Sequence, residues 1–276
     1  MLDFINTFFK KRKEKRSFQE YGYDVKTFEI DNIGTVQYAQ WKHPFEQQKS
    51  ITKSNVNFYK TLAKPGAMII DIGAHTGDTT VPMALAVGKQ GLVLGLEPNK
   101  YVFKILEKNV SLNPEHTNIV PLCFAATEAD GDFVFNYSDA SFCNGGFLSE
   151  IEMKNHKHDY TLTVTGKNLE KYLFANYTNE LSKLELIKVD AEGYDKEILK
   201  TIPNILKQFR PNIMVECFKK LNVKEREELF DVIDAFDYNL FRLANFEENG
   251  EMVQIMKHNM MDEKHFEMLA IPKEKA

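Results

Sequence analysis

The feature that most constrains this chain is the stretch Ala67–Asp78, whose letters AMIIDIGAHTGD pass from an apolar run through an acid into spaced glycines. Such a pattern predicts a buried parallel strand that turns into a helix, with its backbone exposed at the turn. Gly73 and Gly77, with Ala74 between them, can bring the chain close to a ligand. Asp71, at the carboxyl end of the strand, can accept hydrogen bonds from an amine. The stretch therefore predicts a nucleotide-binding turn.

The spacing of these glycines indicates which nucleotide is bound. It is G-x-x-x-G with an acid two residues ahead, whereas the dinucleotide fingerprint is G-x-G-x-x-G. This favours S-adenosyl-L-methionine over NAD, because the methyl donor carries an amino-acid tail and no pyrophosphate. A second strand ends at Glu97, followed by Pro98 and Asn99, and an acid in this position of a doubly wound sheet accepts from the cofactor's ribose hydroxyls. Alternatively, the glycines form a structural turn and Glu97 is a helix-start carboxylate.

Composition places the chain among soluble globular proteins. It has 276 residues, 43% of them hydrophobic and 27% charged, which suits one large core with an appendage. No apolar run reaches the roughly 20 residues that span a bilayer, and the first basic residues follow the apolar segment, so we expect a cytoplasmic protein without a signal peptide. The net charge of -5 argues against a general affinity for nucleic acid.

The chain divides into two predicted parts. Residues 1–62 form an N-terminal extension, with a hairpin over 26–41 and a helix from Ser54 to Leu62, and residues 63–276 form the nucleotide-binding domain. The extension begins with a short apolar stripe and a basic run over 10–16. This segment makes either a weak contact with an anionic membrane surface or a partner, or a solvated helix end.

The second informative stretch is Leu184–Gly193, LELIKVDAEG, which predicts another buried strand. Lys188 inside this strand needs an acidic partner, and we expect Glu216 on the next strand, with a catalytic role for Lys188 as the alternative. Asp190 ends the strand at the edge where open parallel sheets bind ligands. Asp190 and Glu192 can therefore orient an acceptor hydroxyl and take its proton. Alternatively, Glu192 is a helix-start carboxylate.

Between these motifs lie an edge strand and a long insert. Pro121 cannot donate to a sheet ladder, so the strand over 119–124 is expected at an edge, and the small Ala125 at its exit lets an adenine ring approach. The span 136–160 has no clear period and is interpreted as a substrate-side loop. His156 and His158 within it are interpreted as solvated, and no metal site is predicted.

Together, the runs DIGAHTG from Asp71, EPN from Glu97, LIKVDAEG ending at Gly193 and PNIMVE ending at Glu216 resemble the FkbM family of S-adenosylmethionine-dependent methyltransferases. The resemblance implies a class I Rossmann-like α/β fold: a mostly parallel seven-stranded sheet in the order 3-2-1-4-5-7-6, with helices on both faces. It also implies methyl transfer to an oxygen of a sugar or polyketide-like secondary metabolite. His75 stands where the family often has Asn, so it is a base, a cofactor contact or a simple substitute.

Three other functions remain open from the sequence. Amine methylation is one, although the D/N-P-P-Y signature of enzymes that methylate nucleic acid amines is absent after Asp190. A metal-assisted O-methyltransferase would use Asp190, Glu216 and a histidine. The third is a non-catalytic module that keeps the cofactor fold and uses its basic leader for contact.

Overall fold

The computed structural model describes residues 18–137, 147–148 and 160–275. The basic leader, most of the 136–160 insert and both histidines at 156 and 158 lie outside these ranges. The strands are β1 (Tyr23–Ile30), β2 (Gly34–Trp41), β3 (Met68–Ile72), β4 (Leu92–Leu96), β5 (Ile119–Leu122), β6 (Ala125–Thr127), β7 (Gly131–Tyr137), β8 (Phe147–Leu148), β9 (Tyr160–Asn168), β10 (Leu184–Val189), β11 (Asn212–Cys217), β12 (Tyr238–Leu243), β13 (Met252–Gln254) and β14 (Phe266–Pro272). The helices are α1 (Lys53–Leu62), α2 (Thr80–Val87), α3 (Lys100–Leu112), α4 (Leu169–Asn176), α5 (Asp195–Lys200), α6 (Pro203–Phe209) and α7 (Val223–Asp234).

The central sheet has eight strands among the described residues, in the order β13-β12-β14-β11-β10-β3-β4-β5. The five strands from β11 to β5 are parallel, and β14, β12 and β13 are added antiparallel. Numbered by the seven strands expected from the sequence and read from β5, the order is 3-2-1-4-5-7-6, and β13 lies beyond it as an eighth strand. Pro121 lies in β5, at the edge where a missing N–H costs no ladder bond.

The two faces of the sheet are covered by different elements. The middle strands are buried on both faces and therefore have nearly continuous apolar sequences, such as MIIDI in β3, where Asp71 is the one exception. One face packs against the β1–β2 hairpin, α1 and α2. The other packs against α5, α6 and α7. Pro203 begins α6 directly after α5 ends, as its missing N–H predicts.

The hairpin is attached to the nucleotide-binding half by buried polar contacts. Asn109 of α3 accepts the N–H of Ala39 at 2.6 Å and donates to the carbonyl of Thr76 at 2.7 Å. The Tyr38 hydroxyl lies 2.7 Å from the Thr76 hydroxyl. Because the Asn109 side chain bonds to both the hairpin and the loop after β3, it fixes the position of that loop relative to the hairpin.

A second sheet, in the order β6-β9-β7-β8, was not expected from the sequence. It begins with β6 directly after the edge strand β5 and includes both borders of the insert. Its strand β9 alternates exposed residues with the buried Leu162 and Val164, which is the pattern of a half-buried strand. The expectation of an irregular segment from residue 136 was therefore wrong at its borders, since β7 extends to Tyr137 and β9 begins at Tyr160.

Within the described parts of the chain, no helix combines the length and apolar composition that crossing a bilayer requires.

Candidate functional site

Asp71, the acid next to the last residue of β3, is completely buried. Asp71 Oδ2 accepts the hydroxyls of Thr79 at 2.9 Å and Thr80 at 2.6 Å, and Oδ1 lies 3.6 Å from Lys188 Nζ. Burial raises the pKa of Asp71, and Lys188 and the two threonines oppose this. Asp71 is not among the residues that line the two cavities described below. In this structure Asp71 holds the start of α2. Neither cavity wall offers its carboxylate to an amine of a ligand.

The loop after β3 is held in left-handed backbone conformations. Gly73 has φ 82°, His75 has φ 47° and Gly77 has φ 92°. The N–H groups of Gly73 and Ala74 both donate to the carbonyl of Leu96 at the end of β4, at 3.0 and 2.9 Å. A Cβ at Gly73 would lie 2.0 Å from the backbone oxygen of Asp190. Only glycine therefore fits where the loop after β3 passes the end of β10.

Glu97, the acid at the end of β4, is held by backbone groups. Its two oxygens accept the N–H of His75 at 3.1 Å and the N–H of Asn99 at 2.8 Å. Burial raises the pKa of Glu97 to about 7, and these two hydrogen bonds oppose the rise. The Asn99 side chain accepts the N–H of Tyr101 and caps α3, so it builds the helix start. Asn99 is not among the residues that line the two cavities.

Two cavities meet at this edge of the sheet. The apolar cavity spans about 680 Å³ of empty space and the polar cavity about 1140 Å³, and both volumes include space open to solvent. Their shared walls are Gly73, Glu97, Asp190 and Glu192. Other residues of the apolar cavity are Ile72, Leu96, Pro98, Phe124, Ala125, Ala126, Phe135, Tyr137, Ala191, Tyr194 and Ile198. Other residues of the polar cavity are Phe45, Glu46, Gln47, Lys49, His75, Asp78, Thr79, Lys188 and Phe246.

The loop after β10 is tied down by an aspartate that the sequence analysis did not select. Asp195 accepts the N–H of Ala191 at 3.2 Å and that of Gly193 at 2.9 Å. Glu192 between them has φ 52°, an unusual conformation for a residue with a side chain. Burial raises the pKa of Asp195 to about 7, with the nearby Asp190 adding to the effect. An acid five residues after Asp190, at the start of a helix, is the sequence signal that identifies it.

The ion pairs of Lys188 differ from the expected pair with Glu216. Its ammonium group lies 3.0 Å from Asp190 Oδ2 and 3.6 Å from Asp71 Oδ1, and Glu216 is not among its ion-pair partners. Burial alone would lower the pKa of Lys188, but Asp190 and Asp71 outweigh it and the pKa is raised. The register explains the error, because Lys188 lies opposite Asp71 on one side and Met214 on the other.

A second ion pair at the polar cavity has no local sequence signal. Lys49, from the segment between the hairpin and α1, lies 2.6 Å from Asp78 Oδ2. Burial opposes ionisation of Asp78, but Lys49 and then His75 lower its pKa. Glu46 lies 3.8 Å from Lys49, and burial raises the pKa of Glu46 to about 7. The N-terminal extension therefore supplies one wall of the site.

The predicted residues thus separate into two groups. Seven line the cavities: Gly73, His75, Glu97, Pro98, Ala125, Asp190 and Glu192. Four build the loops beneath them: Asp71, Ala74, Gly77 and Asn99. The predictions that individual residues of either group bind cofactor or act in catalysis stay predictions.

The site fits S-adenosyl-L-methionine. Each oxygen of Glu97 accepts only one backbone N–H, which leaves lone pairs for the two ribose hydroxyls. Pro98, Phe124 and Ala125 give the apolar cavity flat and small surfaces that suit a purine ring. Gly73 brings bare backbone to the point where the two cavities meet.

Known proteins were then compared with this chain. The model of the methyltransferase FkbM domain matches residues 71–259, which is more than half of the chain. A probable cobalt-precorrin-6B C(15)-methyltransferase (decarboxylating) from Sulfurisphaera tokodaii is 38% identical over 93 residues, which cover 33% of this chain and 47% of that protein. The match thus spans just under half the length of this relative.

Two solved structures align with parts of this chain. The methyltransferase FkbM from Methylobacillus flagellatus aligns with a TM-score of 0.43 and 11% identity, over 78% of this chain and 50% of that one. An O-methyltransferase from Bacillus cereus in complex with SAH aligns with a TM-score of 0.44 and 13% identity, over 82% and 84% of the two chains. The family match and the cofactor loops agree: the chain belongs to the FkbM methyltransferase domain family, whose methyl donor is S-adenosyl-L-methionine.

Proposed function

We propose that this protein transfers a methyl group to a hydroxyl oxygen of a small acceptor of the sugar or secondary-metabolite type. The observation that carries the proposal is the position of Asp190. Its side chain is 37% exposed and lies on the wall that the apolar cavity shares with the polar cavity. A carboxylate at this junction is within reach of a hydroxyl that approaches the methyl donor from the polar side.

The residues of the chain have two tasks in this reaction. When bound, the cofactor supplies an electrophilic methyl group on its sulfonium, which moves in an in-line displacement. Alignment of the acceptor is the larger task, because well-oriented partners gain on the order of 7 to 11 kcal/mol. Asp190 accepts the hydroxyl proton, and a positioned base adds roughly 10² to 10⁴ in rate. Lys188, at 3.0 Å, fixes the Asp190 carboxylate in place.

The polar cavity favours uncharged, hydroxyl-rich acceptors. Its described walls carry five carboxyl groups and two ammonium groups, namely Glu46, Asp78, Glu97, Asp190, Glu192, Lys49 and Lys188. An excess of acids disfavours a phosphorylated or carboxylated acceptor. Phe45 and Phe246 add two aromatic surfaces against which a ring can pack.

His75 and Glu192 are the second candidates for the base. Both line the polar cavity and both have left-handed backbone conformations. Strained residues concentrate at functional sites, which supports a role for one of them. The His75 N–H already serves Glu97, so His75 links the cofactor side to the acceptor side.

The test compares cofactor binding with turnover. Calorimetry with S-adenosylhomocysteine should show one binding site per chain in the wild-type protein. Labelled S-adenosylmethionine should then transfer its methyl group to members of a panel of sugars and phenolic or polyketide-like alcohols. Asp190→Asn should lower turnover by about 10²-fold or more while its affinity for S-adenosylhomocysteine stays within about threefold.

The exposed Asp24, which pairs with Lys42 at the surface, gives a matched control, and Asp24→Asn should keep full activity. Equal loss of binding and turnover in Asp190→Asn would place Asp190 on the cofactor. Transfer to amines but not to hydroxyls would overturn the proposed oxygen acceptor. Tight binding with no transfer to any acceptor of the panel would favour a non-catalytic module.

A further inference from the structure

Three side chains with metal-binding atoms lie together at the carboxyl end of β11, outside the two cavities of the proposed site. Glu216, His265 and Glu267 each offer one ligand atom, and these atoms all lie within 4.8 Å of one another. His265 Nδ1 lies 3.3 Å from Glu216 Oε1. The group therefore has the size of the ligand shell of a single metal ion.

Glu216 is the observation that points to a ligand. Its side chain is only 9% exposed, and its Oε2 is buried with no hydrogen-bond partner among the described residues. Glu216 also lies directly opposite Glu267 in the antiparallel β11–β14 register. Two carboxylates in directly opposed positions repel each other, and a buried oxygen without a partner costs free energy. A cation between them removes both costs.

The segment that carries His265 is held rigidly in front of Glu216. Arg226 of α7 is buried, and its guanidinium donates to the carbonyls of Met260 at 2.8 Å, Glu263 at 2.7 Å and Lys264 at 2.5 Å. A long side chain thus fixes the backbone up to the residue before the histidine. Such support around a ligand is what holds a metal site in its binding geometry.

We propose that Glu216, His265 and Glu267 bind one divalent transition-metal ion, of the class of Mn²⁺ or Zn²⁺. An imidazole nitrogen with two carboxylates suits these ions, whereas Mg²⁺ prefers oxygen ligands alone. Three protein ligands leave coordination positions for water. His265 and Glu267 also line a cavity open to solvent, which gives an ion a path to the site.

The ion would lie beside the acceptor side of the proposed active site. Val189 and Val215 are opposite each other in the parallel β10–β11 pair, so Asp190 and Glu216 both follow at the strand ends. Phe246 lines both the polar cavity and the cavity of His265. The cation site is nevertheless independent of the methyl-transfer proposal, because its ligands are not among the residues that line the apolar cavity or the polar cavity.

The test uses the full chain after removal of metal with a chelator. Calorimetry should show one Mn²⁺ or Zn²⁺ ion per chain, and a hundredfold excess of metal over its dissociation constant should raise Tm by about 5 °C. The six-line electron paramagnetic resonance signal of free Mn²⁺ should fall by one equivalent. Mg²⁺ should bind at least about tenfold more weakly than Mn²⁺. Comparable or tighter binding of Mg²⁺ would overturn the class of ion proposed.

Two variants test the proposed cation site. His265→Ala changes a half-exposed side chain and Glu267→Gln removes one of two opposed charges, so both should fold and both should bind Mn²⁺ at least about tenfold more weakly. Glu263→Gln is the matched control, because Glu263 lines the same cavity but pairs with Arg242, and it should bind as wild type does. Absence of stoichiometric Mn²⁺ or Zn²⁺ binding to the wild-type chain, or wild-type affinity in both variants, would overturn the site.

Discussion

Lys188 Nζ lies 3.0 Å from Asp190 Oδ2 and 3.6 Å from Asp71 Oδ1, so one buried ammonium group joins β3 to the carboxyl end of β10. Asp71 is fully buried and Lys188 is 3% exposed. These contacts fix the ends of β3 and β10 relative to each other. They also make this edge of the sheet depend on a buried charge that needs a countercharge.

Replacing this ammonium group should destabilise the fold. Lys188→Met leaves Asp71 buried without a countercharge, and breaking a buried pair in this way costs about 3–5 kcal/mol. Denaturant unfolding would measure the change. Lys53→Met is the matched control, since Lys53 pairs with Asp31 at the surface, where such pairs contribute about 0–1 kcal/mol. Equal stability of Lys188→Met and wild type would show that the ion pair is not needed by the fold.

Substitution of the loop glycine Gly73 should weaken cofactor binding. Gly73 has φ 82°, and its Cβ would lie 2.0 Å from the Asp190 backbone oxygen, so alanine must push the two loops apart. The left-handed conformation alone costs about 1–3 kcal/mol. Gly73→Ala should weaken S-adenosylhomocysteine binding by about tenfold or more in calorimetry. Gly22→Ala, where a Cβ meets nothing within 4 Å, should bind normally.

A third prediction concerns the loop that carries Glu192. In Asp195→Asn one oxygen becomes an amide donor, so only one of the N–H groups of Ala191 and Gly193 keeps its acceptor. The loop should shift by a fraction of an ångström, and misplacement on this scale lowers turnover by about 10²-fold or less. The substitution leaves Glu97, the predicted ribose contact, untouched, so the affinity for S-adenosylhomocysteine should change by less than about threefold. Steady-state kinetics with calorimetry would check both values.

Glu197→Gln is the control for this prediction. Glu197 lies on the same helix and pairs with Lys200 at the surface. If Asp195→Asn keeps full turnover, or loses cofactor affinity in proportion to turnover, the loop is not positioned by this side chain.

The sequence predicted those parts of the site that are formed by short contiguous segments. The strand ends at Asp71, Glu97 and Asp190 and the turns that follow them are contiguous runs, so apolar patterns and glycine positions were sufficient. The partner of Lys188 was not local. Acids lay on both neighbouring strands, and only the register shows that Asp71 lies opposite while Glu216 lies two residues beyond Met214, about 7 Å further along.

Long-range contacts account for the other misses. The Lys49–Asp78 pair joins residues 29 apart through a segment with no periodic pattern. The pairing of β7 with β9 spans the 136–160 insert, and the polar composition of the insert concealed the alternation on either side. The cluster of Glu216, His265 and Glu267 combines a parallel strand with an antiparallel one, which no spacing in the sequence indicates.

The buried acid of the cofactor site should give the protein a measurable pH dependence. Burial raises the pKa of Glu97 from its ordinary value of 4.5 to about 7, with the N–H groups of Asn99 and His75 opposing the shift. The folded protein thus keeps a proton that the unfolded chain has already released. The stability from this group is therefore fully present below about pH 4.5 and is lost as the pH rises through about 7.

Denaturant unfolding of wild type and Glu97→Gln at about pH 4.5 and about pH 8 would isolate this effect. Each pKa unit corresponds to about 1.4 kcal/mol, so the difference between the two unfolding free energies should shift by about 3 kcal/mol in favour of the variant at the higher pH. Glu107→Gln, on the exposed side of α3, separates the effect of burial from the removal of any carboxylate. A shift of the opposite sign would mean that Glu97 is charged in the folded protein at low pH, and its carboxylate would then be held by the loop more strongly than burial opposes it.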